Sequence, residues 1–142
     1  MTLVYTSHDE IQTAFYNALA PGGVIDATLV SNGITGVYDF RAVPQNAVFD
    51  YITFGDGYEM SDDTFDSDGF KLYPMVHIWS RQRATTPATN VFNRINQLLH
   101  RQSLTLPSLN NVFCLLQRAN WLDGGDGLTL HVAITYYTYS VQ

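Results

Sequence analysis

The sequence predicts an α+β fold, an antiparallel four-stranded sheet with two main helices packed on one face. Two observations predict it. Two segments carry apolar residues at helical spacing, and four others have the alternation or β-branched and aromatic content of strands. Their order is helix, two strands, helix, two strands, which favours two hairpins in one layer and two helices in the other. The chain, residues 1–142, is expected to fold as a single domain.

The first helix is predicted from His8 to Ala20. Ser7 and Glu10 match a capping box at its start, and Pro21-Gly22-Gly23 ends it. The pattern from Val24 to Gly36 leaves a short strand, a helical turn and a loop all open. The apolar stripe of the helix consists of Ile11, Ala14, Phe15, Ala18 and Leu19.

The first pair of strands is predicted at Val48 to Phe54 and at Phe70 to Arg81. Pro74 lacks a backbone donor, which indicates an edge strand or a bulge near that point. Between the strands, Gly55 to Gly69 is rich in Gly, Asp and Ser and is expected to be a long polar loop. A short extended piece is also expected at Val37 to Phe40.

The second helix is predicted from Pro87 to Arg101. The last two strands are predicted at Asn111 to Trp121 and Leu128 to Tyr139, and Asp123 to Gly127 is a strong turn signal between them. The apolar stripe of this helix is expected to pack on the apolar side of the strand at Phe70 to Arg81. That stripe consists of Val91, Ile95, Leu98 and Leu99.

Charge and composition argue against several classes of protein. The formal net charge is −6, so specific binding to DNA or to an anionic membrane is not expected. No apolar run is long enough to span a bilayer, and the first residues lack the basic lead and apolar core of a secretion signal. The single Cys114 excludes an internal disulfide.

No residue pattern predicts catalysis, a metal or a cofactor. Four histidines are present, and none has the spacing of a zinc site. Aligned on an EF-hand loop, the acidic segment places Thr64 and Met75 at the two positions that matter most. Cys114 with His131 is in principle a nucleophile and base, yet Cys114 lies in an apolar segment without a neighbouring cation. A looser calcium site, or a metal at His77 and His131, stays open as a minor alternative.

The side of the sheet away from the helices is expected to be an interface between copies of the chain. Large, half-polar residues are enriched at protein–protein contacts, and a monomer would expose them unless Val24 to Phe40 covers that side. Arginines beside them are expected to meet acidic residues of a neighbour. The predicted interface comprises Tyr73, Met75, His77, Trp79, Arg81, Arg83, Arg118, Tyr137 and Tyr139.

The segment from Gly55 to Gly69 holds six of the thirteen acidic residues. Like charges at such spacing repel one another and keep a segment extended and hydrated. Such a segment would dock on basic residues of a partner or stay solvated without a role. Its acidic residues are Asp56, Glu59, Asp62, Asp63, Asp66 and Asp68.

Short segments along the chain resemble, in order, the tail terminator proteins of long-tailed bacteriophages, also called tail completion or tail-to-head joining proteins. The resemblance runs roughly from Glu10 to Tyr139, with departures at Val24 to Asn32 and in the acidic segment. After the first helix, it follows Gly36 to Asp39, Val43 to Gln45, Tyr51 to Asp56, Val76 to Arg81, Ile95 to His100 and Asp123 to Leu128.

The resemblance implies an α+β subunit of a homo-oligomeric ring, commonly a hexamer, at the neck end of the virion tail. Such a ring caps the finished tail tube, stops its growth and joins the tail to the head. Its implied partners are further copies of itself, the tail tube protein and the head–tail connector or stopper protein. No cofactor, membrane or specific nucleic acid is implied, although DNA passes through the ring. In such a ring the acidic segment from Gly55 to Gly69 would either face the lumen and repel DNA or dock on a partner. Assembly would take place in the host cytoplasm, and gene transfer particles carry similar proteins.

Two other classes of protein stay open at this point. A small soluble ligand-binding or regulatory domain would use the aromatic side of the sheet as its groove. An enzyme would use His77, His131 or Cys114. A monomer with a ligand-sized pocket would favour the binding domain, whereas ring-shaped particles would favour the tail protein.

Overall fold

The computed structural model describes residues 8–61, 70–104, 106 and 111–141 of the chain. These residues form a six-stranded mixed sheet, curved into a half-barrel, with helices packed against one face. The prediction of a four-stranded antiparallel sheet with two main helices is therefore wrong. The two additional strands lie at the edges of the sheet, and one of them runs parallel to its neighbour.

The helical elements are α1 (His8–Leu19), a 3-10 turn (Pro21–Gly23), α2 (Ala27–Ser31) and α3 (Thr86–Leu99). The strands are β1 (Gly36–Asp39), β2 (Tyr51–Ser61), β3 (Phe70–Ser80), β4 (Gln102–Leu104), β5 (Asn111–Asp123) and β6 (Leu130–Val141). Across the sheet the order is β1-β2-β3-β6-β5-β4, so the pairs β2–β3 and β5–β6 form its centre. No helix among these described elements is both long and apolar enough to cross a bilayer.

Short length explains why the sequence pattern indicates β1 only as a short extended piece at Val37 to Phe40 and does not indicate β4. β1 has four residues and β4 has three, which is too few for a period of two to stand out. β1 also pairs with β2 in parallel, with Gly36 opposite Tyr51. The turn signals of a sequence mark hairpins, and a parallel pair has none.

The strand predicted at Val48 to Phe54 begins at Tyr51 and continues to Ser61. Asp56 and Glu59 therefore belong to β2, and the predicted polar loop is wrong for its first residues. The remainder of that predicted loop, residues 62–69, lies outside the described residues.

Gly55, Asp56 and Gly57 form a bulge within β2. Between Phe54 and Gly57 the register advances three residues on β2 but two on β3. Gly55 and Gly57 have φ angles of 103° and 141°, a range that suits glycine and few other residues. Gly57 lies opposite Pro74, so a bulge does occur near that proline, although β3 is a central strand.

A hydrophobic core fills the space between the helices and the sheet. Tyr136 of β6 packs edge-on against Phe15 with ring centroids 5.9 Å apart, and its hydroxyl donates to Asn96 at 2.8 Å. Burial raises the pKa of Tyr136. α1 and α3 bury most residues of their predicted apolar stripes. Their buried residues are Ile11, Phe15, Leu19, Ala88, Val91, Ile95 and Leu99.

The segment from Val24 to Gly36, which the pattern leaves open, contains α2. The Asp26 carboxylate caps this helix by accepting hydrogen bonds from the backbone N–H groups of Thr28 and Leu29. The same carboxylate accepts two hydrogen bonds from Arg94 of α3, at 2.8 and 2.9 Å. Leu29 is fully buried in the core. This helix therefore belongs to the helical layer and does not cover the opposite side of the sheet.

Candidate functional site

The open face is the side of β2, β3, β6 and β5 that turns away from the helices. Its aromatic row crosses all four strands, with ring centroids 4.5 to 5.8 Å apart between successive members. Three of its members are exposed by more than a third of their surface, which is unusual for rings of this size. The aromatic row consists of Tyr58, Tyr73, Tyr137, Tyr139 and Phe113.

A second cluster, the histidine cluster, lies on the open face nearer to β1. Asp56 Oδ2 is 2.5 Å from His77 Nε2, and His77 Nδ1 is 2.7 Å from His131 Nε2. Trp79 stacks on His131, with centroids 3.9 Å apart and planes 8° from parallel. The β2 bulge and the alternation of β3 and β6 bring these four side chains together.

One arrangement of protons satisfies the histidine cluster with both rings neutral. His131 donates from Nε2 to His77, and His77 donates from Nε2 to Asp56. Burial lowers the pKa of His131 and the neighbouring His77 lowers it further, while Asp56 acts in the opposite direction. In this arrangement the hydrogen bond from His77 fixes the Asp56 carboxylate in position.

A cavity of about 340 Å³ lies between the histidine cluster and residues 40–43. Trp79 closes one wall and donates from its indole nitrogen to Thr53 at 3.0 Å. Asp56 Oδ1 is buried and has no hydrogen-bond partner among the described residues. The lining residues are Phe40, Val43, Tyr51, Thr53, Asp56, His77 and Trp79.

The structure brings most of the predicted interface residues together on the open face. Tyr73, Met75, His77 and Trp79 alternate along β3, and Tyr137 and Tyr139 lie on β6 in the aromatic row. His77 and Trp79 are hydrogen-bonded within their own chain, whereas Tyr58, Phe113 and Tyr139 of the aromatic row are the more exposed part of this surface.

The three arginines of the predicted interface lie in different surroundings. Arg81 is engaged within its own chain: its guanidinium lies 4.0 Å from the Phe49 ring centroid and 3.4 Å from Asp126. Backbone N–H groups of residues 128 and 129 and the Thr129 hydroxyl lower the pKa of Asp126 to about 2. Arg83 and Arg118 are exposed and form no ion pair within the described residues.

The predicted acidic residues separate into two groups. Asp56 is a member of the histidine cluster, and Glu59 is exposed further along β2. The others, Asp62, Asp63, Asp66 and Asp68, lie outside the described residues.

The described residues offer little support for catalysis or metal binding. No group of three or more His, Cys, Asp or Glu among them is arranged to hold a metal ion. Burial raises the pKa of Cys114 to about 12, which disfavours the reactive thiolate. Cys114 belongs to the core on the helix side of the sheet, whereas His131 lies on the open face, so the two do not form a nucleophile and base.

Asp50 is a structural residue that the sequence analysis misses. It is 5% exposed and accepts hydrogen bonds from the Ser80 hydroxyl, the Arg81 backbone N–H and the Gln82 side chain, at 2.8 to 3.0 Å. It thereby fixes the end of β3 beside the start of β2. The signal is an aspartate inside an otherwise apolar segment, where a buried carboxylate needs several donors.

A subunit with one side closed by helices and an open face rich in aromatic rings belongs to the class of proteins built for contact with other chains. Residues 14–140 match the family model described as tail completion protein gp17. The chain belongs to this family, as its resemblance to tail terminator proteins predicts. It is a structural protein of the virion tail, where it assembles with other tail and head proteins.

Solved structures share the fold. A chain from the virion of the native gene transfer agent particle aligns with a TM-score of 0.83 at 18% identity, covering 96% of this chain and 98% of that chain. Another solved chain, which carries no descriptive name, aligns with a TM-score of 0.59 at 16% identity, covering 97% and 98%. No curated protein matches the chain.

Proposed function

We propose that copies of this chain form a ring, commonly a hexamer, that caps the tail tube, stops its growth and joins the tail to the head connector. The open face, with its exposed aromatic row, is the observation that carries the proposal. Tyrosine and phenylalanine side chains are enriched at protein–protein interfaces, and tyrosine is among the residues that contribute most of their binding energy. Family membership supports the tail as the place where this surface is used.

The two edges of the sheet support a head-to-tail arrangement of copies. Among the described residues, β1 has no neighbouring strand on its outer side, and β5 has none beyond Cys114 because β4 pairs only with residues 112–114. Each copy therefore offers two different edges, which is the requirement for a heterologous contact that closes into a ring.

Electron microscopy of the purified protein tests the ring, and particles made without the protein test its role. We expect rings from the wild type, and long, unjoined tails when the protein is absent.

Replacing Phe113 and Tyr139 together by Ala should weaken ring formation about tenfold or more, since exposed aromatic rings dominate such contacts. Trp121, which is also exposed but contacts Phe92 on the helix side, serves as the matched control. Rings that survive the double replacement would contradict the proposed interface.

We propose one of two positions for the acidic segment in the ring. It either binds basic residues of the tube or connector protein, or it lines the lumen. Changing Asp62, Asp63, Asp66 and Asp68 together to Asn separates the cases. Loss of tail joining supports docking on a partner, and normal joining with slower DNA ejection supports the lumen. Normal particles with normal ejection would assign the segment no role.

A ligand-binding domain is the second candidate, because the cavity beside the histidine cluster has a volume of about 340 Å³. Ligand pockets occupy about 300–1,000 Å³. Light scattering discriminates between the two: a protein that stays monomeric at high concentration and binds a small molecule in this cavity would favour the second candidate.

A further inference from the structure

The outer edge of β5 has no strand partner beyond its bulge. Up to Leu116 the outward backbone groups are bonded to β4, to Arg101 or to His100, whose ring accepts the Leu116 N–H at 2.8 Å. Residues 118–123 pair only with β6, on the inner side, within the described part of the chain. This stretch is therefore an open edge in the middle of a long strand.

The direction of the backbone groups along this edge follows from the hairpin that β5 forms with β6. Gly124 donates its backbone N–H to the Thr129 carbonyl at 2.7 Å, and residues of an antiparallel strand face their partner alternately. Counting back along β5 from Gly124, the even-numbered residues face β6. Ala119 and Trp121 therefore direct their N–H and C=O groups outward, where a further strand could pair with them.

The side chains of the open edge are apolar on both faces of the sheet. Trp121 contacts Phe92 on the helix side and is 44% exposed, and the next residue, Leu122, is 46% exposed on the other face. No charged residue lies between Arg118 and Asp123. Proteins commonly protect such an edge with charge or cover it, and an edge left open is where an added strand binds.

Only one segment outside the described residues has the composition of a strand. Thr2 to Thr6, with the sequence TLVYT, combines β-branched, aromatic and aliphatic residues and contains no glycine, proline or charge. The other segments are polar, contain glycine or proline, or are too short to pair. All the segments outside the described residues are 1–7, 62–69, 105, 107–110 and 142.

The pattern of this segment suits the open edge of β5. In an extended conformation, Leu3 and Tyr5 point to one side and Val4 points to the other. Both faces of the added strand would then carry apolar side chains, which match Trp121 and Leu122 on the two faces of the edge.

The segment cannot reach the β5 edge of its own copy. His8, at the start of α1, lines a cavity together with residues of β1 and β2. β2 and β5 are three strand spacings apart, about 14 Å. Only Ser7 separates Thr6 from His8, and this length of chain spans at most about 7 Å. A β5 edge within reach of the segment is therefore that of a neighbouring copy.

We propose that residues 2–6 of one copy add as a further strand to the β5 edge of the next copy, at residues 119–123. The contact joins the β1–β2 side of one subunit to the β5 side of another, so it is heterologous and can repeat around a ring. It rests on the proposed ring and names the segment that links neighbouring copies. Backbone hydrogen bonds supply the affinity, and Trp121 and Leu122 supply the apolar contact.

The first test changes the added strand and measures self-association by sedimentation velocity. Deleting residues 2–6 should raise the concentration of half-assembly about tenfold or more, because several backbone hydrogen bonds are lost together. Val4→Pro should act in the same direction, since proline lacks the N–H group. Val4→Thr keeps the N–H group and the β-branched shape, so it should change the value less than about twofold.

The second test changes the edge that receives the strand. Ala119→Pro removes an outward N–H that has no strand partner in the monomer, and proline is tolerated at such edge positions. This variant should weaken assembly as much as the deletion does, whereas Ala119→Ser, which keeps the N–H, serves as the matched control. Combining Ala119→Pro with the deletion should be little worse than either alone. The melting temperature of each monomer shows whether the variant is folded.

The third test does not depend on the ring. It uses the protein that lacks residues 2–6 and, as the probe, a peptide of the sequence TLVYTS with blocked ends. The backbone amide resonances of Ala119 and Trp121 should shift saturably with the peptide and exchange more slowly with solvent. If the wild type forms no oligomer yet these changes are seen, the ring fails while the edge site stands.

Four results would overturn the inference. An oligomer that both the deletion and Ala119→Pro leave intact would keep the ring but exclude this contact. Amide resonances at Ala119 and Trp121 that the peptide does not move would show that the edge does not bind the segment. An effect of Ala119→Pro without an effect of the deletion would mean that another strand occupies the edge. An effect of the deletion without an effect of Ala119→Pro would mean that the segment binds elsewhere.

Discussion

At the scale of single residues, Gly57 shows how one missing side chain shapes the candidate site. A Cβ atom built on Gly57 would lie 2.3 Å from the backbone carbonyl oxygen of Tyr73. Backbone atoms of a central strand pair cannot move aside as a flexible side chain can. The bulge, and with it the direction of the Asp56 side chain, therefore depends on glycine at this position.

Gly57→Ala is expected to lower the free energy of unfolding by about 3 kcal/mol, through both the clash and the unfavourable φ. Gly125→Ala is the matched control, since Gly125 has a φ of 97° but no atom within 4 Å of the added Cβ. That variant should cost only about 1 kcal/mol. Urea denaturation of both variants checks the difference. Equal losses would mean that the clash is relieved by local movement.

His131 is expected to make stability depend on pH. Its folded pKa lies below the unfolded value of 6.5, so the unfolded chain binds more protons. The contribution of neutral His131 to the free energy of unfolding is complete above pH 6.5, and it is lost as the pH falls through the folded pKa. Melting temperatures between pH 8 and pH 5, the range in which histidine titrates, should therefore fall with pH. His131→Gln should flatten this part of the curve, and an unchanged slope would contradict the assignment.

At the scale of secondary-structure elements, the short helix α2 depends for its stability on an ion pair with α3. Five residues form barely more than a single turn, which is not stable in isolation. Asp26 caps the helix and binds Arg94 of α3, and its side chain is 12% exposed. The Arg94 hydrogen bonds, and less strongly the α2 backbone N–H groups, lower the pKa of Asp26.

Arg94→Ala is expected to destabilise the protein by about 2–3 kcal/mol, because it leaves a mostly buried carboxylate short of donors. The contribution of this pair is present above pH 3.8 and is lost as the pH falls through the lowered pKa of Asp26. Amide hydrogen exchange should show faster opening of α2 in the variant. Arg83→Ala should stay within about 0.5 kcal/mol of the wild type.

The same elements show which parts of the secondary structure can be predicted from sequence patterns. The stripes of α1 and α3 and the four long strands are predicted because each repeats its period several times. The edge strands β1 and β4 are too short to show a period. The bulge at Gly55 and Gly57 carries the residues of a turn, so composition alone assigns it to a loop.

The candidate site is predicted in part for related reasons. Alternation along β3 and β6 places the aromatic side chains and both histidines on one face. The cavity depends on the parallel β1 and on residues 40–43, which no local pattern positions. Asp56 joins the histidine cluster only through the bulge.

At the scale of the whole molecule, one core between helices and sheet is expected to unfold in a single cooperative transition. Ile95 is fully buried there, and Ile95→Ala should cost about 3–4 kcal/mol. Val30 is 50% exposed on α2, and Val30→Ala should change stability by less than about 0.5 kcal/mol. Calorimetry of both variants checks the contrast, and two separate transitions would contradict a single domain.

The edges of the sheet also determine how copies of the chain can associate. β1 has four residues and β4 has three, so these two strands offer few backbone hydrogen bonds to another strand, whereas β5 beyond Cys114 pairs only with β6 within the described residues. In the proposed ring each copy would use both of its unlike edges, so a closed ring would have no end to which another copy can add.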